Sequence, residues 1–258
     1  MNRFKTLFEK KQRGLLSVYF CAGHPTADST LDILTALQEG GADMVEVGIP
    51  FSDPLADGPA IQQAATTALR GGMTVKKLMD QLRTMRPAIH IPVVLMGYLN
   101  PILHYGFERF CRDCRACGVD GLIIPDLPFD ECQSEFAATA HAHGLEFIFL
   151  VTPETPEERI RLIDDATDAF IYAVSAPAVT GAKNDFSAAS KAYFARLEAM
   201  RLKNPLLVGF GISNRTTRAA ADAHTSGVIV GSKFVKLLES TASPAEAVSA
   251  LVEALDRD

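Results

Sequence analysis

Three carboxylates lie close together in residues 45–60 (VEVGIPFSDPLADGPA), a segment that contains no lysine or arginine. Glu46 lies between two valines in a strand-like run, whereas Asp53 and Asp57 lie in a predicted loop that contains glycine and proline. An unpaired buried carboxylate costs several kcal/mol, which is a large part of the net stability of a domain. The placement of Glu46 therefore indicates a functional role.

Glu46 has the surroundings of a proton-exchanging group. Apolar surroundings destabilise the charged form of a carboxyl group, so that it holds or exchanges a proton near neutral pH. Two acids in different surroundings take opposite roles in proton transfer, which makes Asp57 a candidate for the ionised partner. Two structural interpretations stay open: Glu46 pairs with a basic group elsewhere in the chain, or Asp53 and Asp57 are only turn residues.

Two glycine-containing turns, at residues 208–214 (VGFGISN) and 228–234 (VIVGSKF), follow strand-like runs late in the chain. Glycine lets backbone N–H groups approach an anion closely, and the helix expected after each turn directs its positive dipole end to the same place. The turns therefore predict a phosphate site that needs no basic patch. The alternative is that these glycines only permit tight strand-to-helix turns.

Strand-like runs rich in Val, Ile, Leu and Phe position these residues, and most are apolar throughout, which is typical of parallel strands covered on both faces. The eight runs are LLSVYFCAG, MVEVGI, PVVLMGY, VDGLIIPD, LEFIFLVT, AFIYAVS, PLLVGFG and GVIVGS. Helical segments alternate with them, one of which opens at Asn214, a favoured N-cap residue. Eight strand–helix repeats in 258 residues predict an α/β fold, the (β/α)₈ TIM barrel.

A single domain over residues 1–258 is predicted because no linker, low-complexity tract or shift of composition divides the chain. The alternative, a doubly wound open sheet, normally has fewer strands and a Gly-x-Gly-x-x-Gly turn after the first one, which this sequence lacks. The spacing of the runs predicts long loops after strands 2 and 6, where barrels carry their chemistry. The second loop, residues 175–190, is rich in small residues and is predicted to be mobile.

Charge and composition exclude several classes of function. A formal net charge of −6 argues against nucleic acid and anionic membranes as partners, because both require a basic surface. No apolar run is long enough to span a bilayer, and the charged residues 1–14 lack the apolar core of a signal peptide. We therefore predict a cytoplasmic protein.

Five cysteines in a chain of this length indicate free thiols in a reducing compartment. Cys111, Cys114 and Cys117 have the close spacing of iron–sulfur ligands, which makes a cluster enzyme one alternative. Because the same segment has helical spacing, we predict instead that these thiols pack in the core. The six histidines show no metal-ligand spacing, so no metal is predicted.

The segment VEVGIPFSDPLADGP closely resembles the signature of the tryptophan synthase α subunit family, and LMGYLNP, VTGA, VGFGIS and VGS follow in that family's order. The resemblance covers essentially the whole chain. It implies a barrel lyase that cleaves indole-3-glycerol phosphate to indole and glyceraldehyde 3-phosphate, in the last steps of tryptophan biosynthesis. It also implies an α₂β₂ complex, in which the β subunit carries pyridoxal phosphate and this chain needs no cofactor.

The resemblance also assigns roles to residues. Glu46 matches the general acid/base of the second strand, and Asp57 matches the loop aspartate that stabilises the indole nitrogen. The residues expected to line the substrate site are Tyr172, Tyr98, Leu95, Ile123, Leu150 and Thr180. The residues expected to form the phosphate cradle are Gly181, Phe210, Gly211, Gly231 and Ser232.

Two positions depart from the family pattern. Ala178 stands where glycine usually precedes VTG, and it is expected to stiffen the closing loop, because alanine tolerates positive φ poorly. Cys21 stands where threonine is common, which removes a hydroxyl group near Asp57. Two other functions stay open: an allosteric partner of the β subunit with weak activity alone, and another phosphate-binding barrel enzyme.

Overall fold

The computed structural model describes residues 3–175 and 185–256. Within them, nine short parallel strands form one sheet in the order β5-β4-β3-β2-β1-β9-β8-β7-β6. The strands are β1 (Leu15–Cys21), β2 (Met44–Gly48), β3 (Val93–Met96), β4 (Gly121–Ile123), β5 (Glu146–Phe147), β6 (Leu150–Val151), β7 (Ile171–Val174), β8 (Leu206–Gly209) and β9 (Gly227–Val230).

The sheet closes on itself because β5 and β6 are two halves of one strand. Between them, the Ile148 N–H donates to the Leu122 carbonyl on the β4 side at 2.9 Å, and the Tyr172 N–H of β7 donates to the Phe149 carbonyl at 3.0 Å. The two ends of the sheet are therefore the same piece of chain. The result is the eight-stranded barrel predicted from the sequence, with each of the eight apolar runs supplying one barrel strand.

Helices alternate with the strands and cover the outside of the barrel. Their bounds are α1 (Arg3–Lys10), α2 (Thr30–Glu39), α3 (Pro59–Arg70), α4 (Val75–Leu82), α5 (Leu99–Tyr105), α6 (Phe107–Cys117), α7 (Phe129–Glu131), a π-helical turn (Cys132–Phe136), α8 (Ala137–Ala142), α9 (Glu157–Asp165), α10 (Ala188–Ala199), α11 (Arg215–Asp222), α12 (Ser232–Ser240) and α13 (Pro244–Asp256). The extra chain between β2 and β3 consists of the loop at residues 49–58 and a second helix, α4.

Helix α1 covers the amino-terminal end of the barrel. Phe4 is fully buried, and its ring packs edge-on against Phe170, which immediately precedes β7, at 6.1 Å between centroids. Arg3 and Arg86 both bind Asp120, just before β4, at 2.8 Å and 2.7 Å. The carboxyl end of the barrel is therefore the end left for a site.

The cysteines of α6 lie in the core, in agreement with the packing interpretation. Cys111, Cys114 and Cys117 are buried, and burial raises the pKa of each thiol, so that none is a ready thiolate ligand. Across the described ranges, there is no group of three or more His, Cys, Asp or Glu side chains that could hold a metal ion. No helix in those ranges is long and apolar enough to cross a membrane.

Candidate active site

Glu46 lies in β2 on the inner face of the barrel and has no exposed surface. Ser17 of β1 donates a hydrogen bond to its Oε1 at 2.9 Å, while its Oε2 has no hydrogen-bond partner among the described residues. Burial raises the pKa of Glu46 to about 8, and the Ser17 hydrogen bond opposes this shift. The group is therefore mostly protonated at neutral pH.

Asp57 is half-buried in the loop that leads from β2 to α3. Its N–H donates to the Pro54 carbonyl at 3.0 Å, and Tyr98 donates to its Oδ2 at 3.2 Å. The Tyr98 oxygen in turn accepts the Ala56 N–H at 2.9 Å, which fixes the phenol against the loop. Burial raises the pKa of Asp57 to about 6, and the Tyr98 hydrogen bond opposes the shift, so the group is mostly ionised at neutral pH.

Glu46 and Asp57 both influence the pKa values of the same two tyrosines. Burial raises the pKa values of Tyr19 and Tyr172, and the charges of Glu46 and Asp57 raise both further. No cationic side chain of residues 3–175 or 185–256 contributes to the pKa shift of either acid. The interpretation that Glu46 pairs with a basic group therefore finds no support in the described part of the chain.

The strand register decides which predicted wall residues face the interior. Glu46 pairs with Val94, so Leu95, which pairs with Val47, lies on the helix-facing side of the sheet. The sequence predicted Leu95 in the substrate site, but the structure places it on the face of the sheet opposite to that of Glu46. Met96 is on the Glu46 face, next to Ile123 in register.

The remaining predicted wall residues have positions consistent with a common cavity. Leu150 pairs with Tyr172 in register and shares its face of the sheet. The Tyr172 ring packs over Gly209, where an added methyl group would come 2.0 Å from the phenol oxygen. Its centroid lies 6.2 Å from that of Phe210. Thr180, Gly181 and Ala178 lie outside the described residues, as does most of the loop after the sixth barrel strand.

Sequence reasoning missed Ser17 and Tyr19 as site residues. Tyr19 pairs with Glu46 in register, and its ring packs over Gly48, where an added methyl group would come 2.1 Å from the phenol oxygen. Alternation along β1 from Cys21 would have placed both on one face, because side chains two apart share a face. Burial, with a smaller contribution from the charge of Asp57, raises the pKa of the Cys21 thiol to about 12.

The turn after β8 has an unusual backbone conformation. Phe210 and Gly211 have φ values of 65° and 77°, and a positive φ at a phenylalanine is a strained conformation that clusters at functional sites. Ser175 holds this turn by donating to the Phe210 carbonyl at 2.7 Å. The backbone at Phe210 is thus held by the side chain of the residue that follows the neighbouring strand, β7.

The two helices that follow the glycine turns are not equivalent. Asn214 caps α11: its Oδ1 accepts the Thr217 N–H at 2.9 Å, and the Asn214 N–H donates to Thr217 Oγ1 at 3.2 Å. Helix α12 starts at Ser232 after Gly231 and has no side-chain cap, so its dipole end is open to an anion. A methyl group at Gly231 would come no closer than 3.6 Å to its neighbours, so packing does not require a glycine there.

Asp53 lies in a turn in which its backbone carbonyl, and not its side chain, accepts the hydrogen bond from the backbone. Its side chain is exposed and accepts a hydrogen bond from Ser52 at 2.6 Å, while its carbonyl accepts the Leu55 N–H at 3.0 Å. Fold and site together define the class: a (β/α)₈-barrel enzyme with a buried acid of raised pKa on β2 and a second, half-buried acid in the loop that follows this strand.

Comparisons with known proteins narrow that class. A family model described as "Tryptophan synthase alpha chain" matches residues 4–257. A protein of that name from Parabacteroides distasonis is 59% identical over 255 residues, covering 99% of both chains, and one from Bacteroides thetaiotaomicron is 54% identical over 255 residues, covering 99% of this chain and 100% of the relative. The chain belongs to the tryptophan synthase alpha chain family. It is a lyase that cleaves indole-3-glycerol phosphate.

Solved structures agree with the fold. The tryptophan synthase α subunit from Legionella pneumophila superposes with a TM-score of 0.88 at 34% identity, covering 99% of this chain and 97% of that one. A chain of the tryptophan synthase complex from Pyrococcus furiosus superposes with a TM-score of 0.85 at 35% identity, covering 95% and 98%. The TIM-barrel prediction is thereby confirmed.

Proposed function

We propose that Glu46 is the general acid and base of indole-3-glycerol phosphate cleavage. A retro-aldol cleavage requires a proton at indole C3, to break the aromaticity of the ring, and removal of the proton of the C3′ hydroxyl group. The observation that carries this assignment is the free, buried Oε2 of a carboxyl group with a pKa of about 8. A protonated Glu46 supplies the first proton, and the resulting carboxylate accepts the second.

Asp57 is proposed to stabilise the positive charge that develops on the indole nitrogen. It is mostly ionised at neutral pH, and the hydrogen bond from Tyr98 orients one of its oxygens. The hydrogen bond from the indole N–H to this carboxylate becomes stronger in the transition state, because the positive charge on the nitrogen grows. The two acids thus have opposite protonation states, as their roles require.

The same cavity is proposed to hold the rest of the substrate. The indole-lining residues are proposed to be Tyr98, Tyr172, Ile123, Leu150 and Thr180, with Met96 in place of Leu95. The phosphate group is proposed to bind the Phe210–Gly211 turn and the open start of α12 at Gly231 and Ser232, with Gly181 completing the cradle. The uncapped α12 and the positive φ at Phe210 support this assignment.

A β subunit is proposed as the partner, in an α₂β₂ complex in the cytoplasm, with pyridoxal phosphate bound by that subunit and no cofactor in this chain. Leu55 supports the partner proposal, since its side chain is 95% exposed two residues before Asp57. It borders a cleft of about 440 Å³ that Phe51, Tyr98 and Asp126 also line. A partner bound there would reach the loop that carries Asp57.

The test is the rate of indole release by Glu46→Gln and Asp57→Asn. We expect Glu46→Gln to lower kcat by about 100-fold to 10,000-fold, the range for a lost acid/base group, and Asp57→Asn by at least about 100-fold. Affinity for glycerol phosphate should persist in both. Asp53→Asn, which removes the exposed neighbouring carboxylate, is the matched control and should retain activity. Near-full activity of either site variant would remove that residue from its role.

The second candidate function is a binding partner that regulates the β subunit and has weak chemistry of its own. The exposed Leu55 favours it as an additional role. Turnover of indole-3-glycerol phosphate with and without the β subunit separates the two. Cleavage by the isolated chain that depends on Glu46 supports the lyase as the primary function.

A further inference from the structure

Ser17 lies directly beneath the acid in the barrel interior. It is fully buried, and its Oγ donates to Glu46 Oε1 at 2.9 Å. Its neighbours in strand register, Met44 and Ile229, are both apolar and offer no side-chain acceptor. The hydroxyl proton of Ser17 is therefore committed to Glu46, because leaving a buried donor unpaired costs free energy.

The hydrogen bond from Ser17 makes the two oxygens of the Glu46 carboxyl group different. If the acid proton were on Oε1, it would point at Ser17 Oγ and displace the serine proton, which has no other side-chain acceptor in register. With the proton on Oε2, Oε1 accepts from Ser17 in both the protonated and the ionised state of Glu46. Oε2 is the oxygen without a partner in the described residues.

We propose that Ser17 is a positioning residue that keeps the exchangeable proton of Glu46 on Oε2, an inference that rests on the proposed role of Glu46. The Oε2–H bond breaks as the C3–H bond of the indole forms. Oε2 then accepts the proton of the C3′ hydroxyl group as the C3–C3′ bond breaks and the aldehyde forms. One oxygen carries out both transfers, and the acid returns to its starting state without a change of rotamer.

A change in the pKa of Glu46 can be attributed to the Ser17 hydrogen bond, because the other groups that face Glu46 are identified. The titratable neighbours are the phenols of Tyr19 on β1 and Tyr172 on β7, both with raised pKa values, and Asp57, whose charge acts on both phenols. The adjacent strand β3 carries only apolar side chains. Burial and Ser17 are the influences on the pKa of Glu46, and Ser17 lowers it.

The experiment is the pH dependence of kcat and kcat/KM for Ser17→Ala. Because the reaction begins with protonated Glu46, kcat/KM falls on the alkaline side as the free acid ionises. Removing the Ser17 hydrogen bond raises the pKa of Glu46, so we expect the alkaline limb to move up by about one pH unit. The proton is then free to reside on either oxygen, and we expect kcat to fall about tenfold with KM changed less than about twofold.

Two further substitutions keep the test decisive. Ser17→Thr retains the hydroxyl donor and should restore the wild-type profile, whereas Ser17→Cys has a weak donor of similar volume and should shift the limb in the same direction as alanine. If the alanine variant does not fold, the cysteine variant gives the result. Thr225→Val is the matched control, since it removes a buried hydroxyl that donates to the Ala221 carbonyl at the other end of the barrel, and it should change neither quantity.

The outcomes separate this inference from the proposed function. Ser17→Ala and Ser17→Cys with wild-type kcat and pH profiles, beside an inactive Glu46→Gln, would overturn the inference alone. An active Glu46→Gln would overturn the role of Glu46, and this inference with it. A shifted alkaline limb that threonine restores supports the assignment of the proton to Oε2.

Discussion

Glu46 keeps its proton because the barrel interior offers it one hydrogen bond and no counter-charge among the described residues. Its pKa of about 8 lies far above the ordinary value of 4.5, with burial as the largest cause. Asp57 has a smaller shift, to about 6, because it is only half-buried and Tyr98 stabilises its charge. Two residues of the same chemical type thus acquire different protonation states from position alone.

The same burial predicts a pH-dependent stability. Below about pH 4.5, Glu46 is protonated in both the folded and the unfolded chain. As the pH rises from 4.5 to about 8, the unfolded chain loses this proton and the folded protein retains it, so stability falls by about 1.4 kcal/mol per pH unit from this group. Glu46→Gln removes this contribution, and its free energy of unfolding should exceed that of the wild type increasingly up to pH 8.

Urea unfolding of both proteins between pH 5 and pH 9 measures the difference. Asp53→Asn serves as the control, because it makes the same kind of substitution at an exposed carboxyl group outside the barrel interior. Parallel curves for the wild type and Glu46→Gln would mean that Glu46 is not buried with a raised pKa.

At the scale of elements, two strand glycines make room for two cavity tyrosines. Gly48 of β2 accommodates the Tyr19 ring, and Gly209 of β8 accommodates the Tyr172 ring. The positive φ of Phe210 immediately follows Gly209, so the same short segment supports both the aromatic wall and the proposed phosphate turn. A change in this segment therefore affects both halves of the substrate site.

We expect Gly209→Ala to raise the KM for indole-3-glycerol phosphate by about tenfold or more. The added methyl group would come 2.0 to 2.3 Å from three atoms of the Tyr172 side chain, so the ring must move within the cavity. Gly71→Ala is the matched control, because its methyl group would meet only carbonyl oxygens of α3, at 3.3 and 3.5 Å. Steady-state kinetics measures the KM of both variants. An unchanged KM for Gly209→Ala would show that Tyr172 does not contribute to substrate binding.

At the scale of the whole molecule, closure of the barrel collects residues that are distant in sequence at one end. The hydrogen bonds from Ser17 to Glu46 and from Tyr98 to Asp57 span 29 and 41 positions of the chain. Helix α1 covers the opposite end, which leaves the carboxyl end of the strands for the proposed substrate site and the loop at residues 49–58 for the proposed partner.

Leu55→Lys is expected to weaken binding of the β subunit by about tenfold or more, as for a well-buried apolar contact in an interface. Indole release by the isolated chain should stay within about twofold, because Leu55 points away from the protein and is 95% exposed. Leu162→Lys, at a leucine of α9 that is 53% exposed, is the control. Calorimetric titration with the β subunit measures the affinity, and equal affinities for both variants would exclude this loop from the interface.

The sequence alone determined the architecture and singled out the two acids as candidates. Continuous apolar runs separated by helical segments predicted the eight barrel strands, because parallel strands buried on both faces need no polar residues. Glu46 and Asp57 were identifiable since a carboxyl group between valines, and another in a restricted loop, are costly or unusual positions. Asn214 was also predicted as a helix start and is confirmed as the cap of α11.

Only the tertiary structure decided which side chains face the cavity. A strand that is apolar on both faces has no alternation to distinguish inside from outside, so the residue pattern does not distinguish Leu95 from Met96. The register with β2 shows which of the two shares a face with Glu46. Ser17 and Tyr19 share a face of β1 by alternation, but only the pairing with β2, a strand distant in sequence, shows that this is the face of Glu46. The pKa of Glu46 likewise depends on burial and on Ser17, which are properties of the closed barrel and not of any local segment.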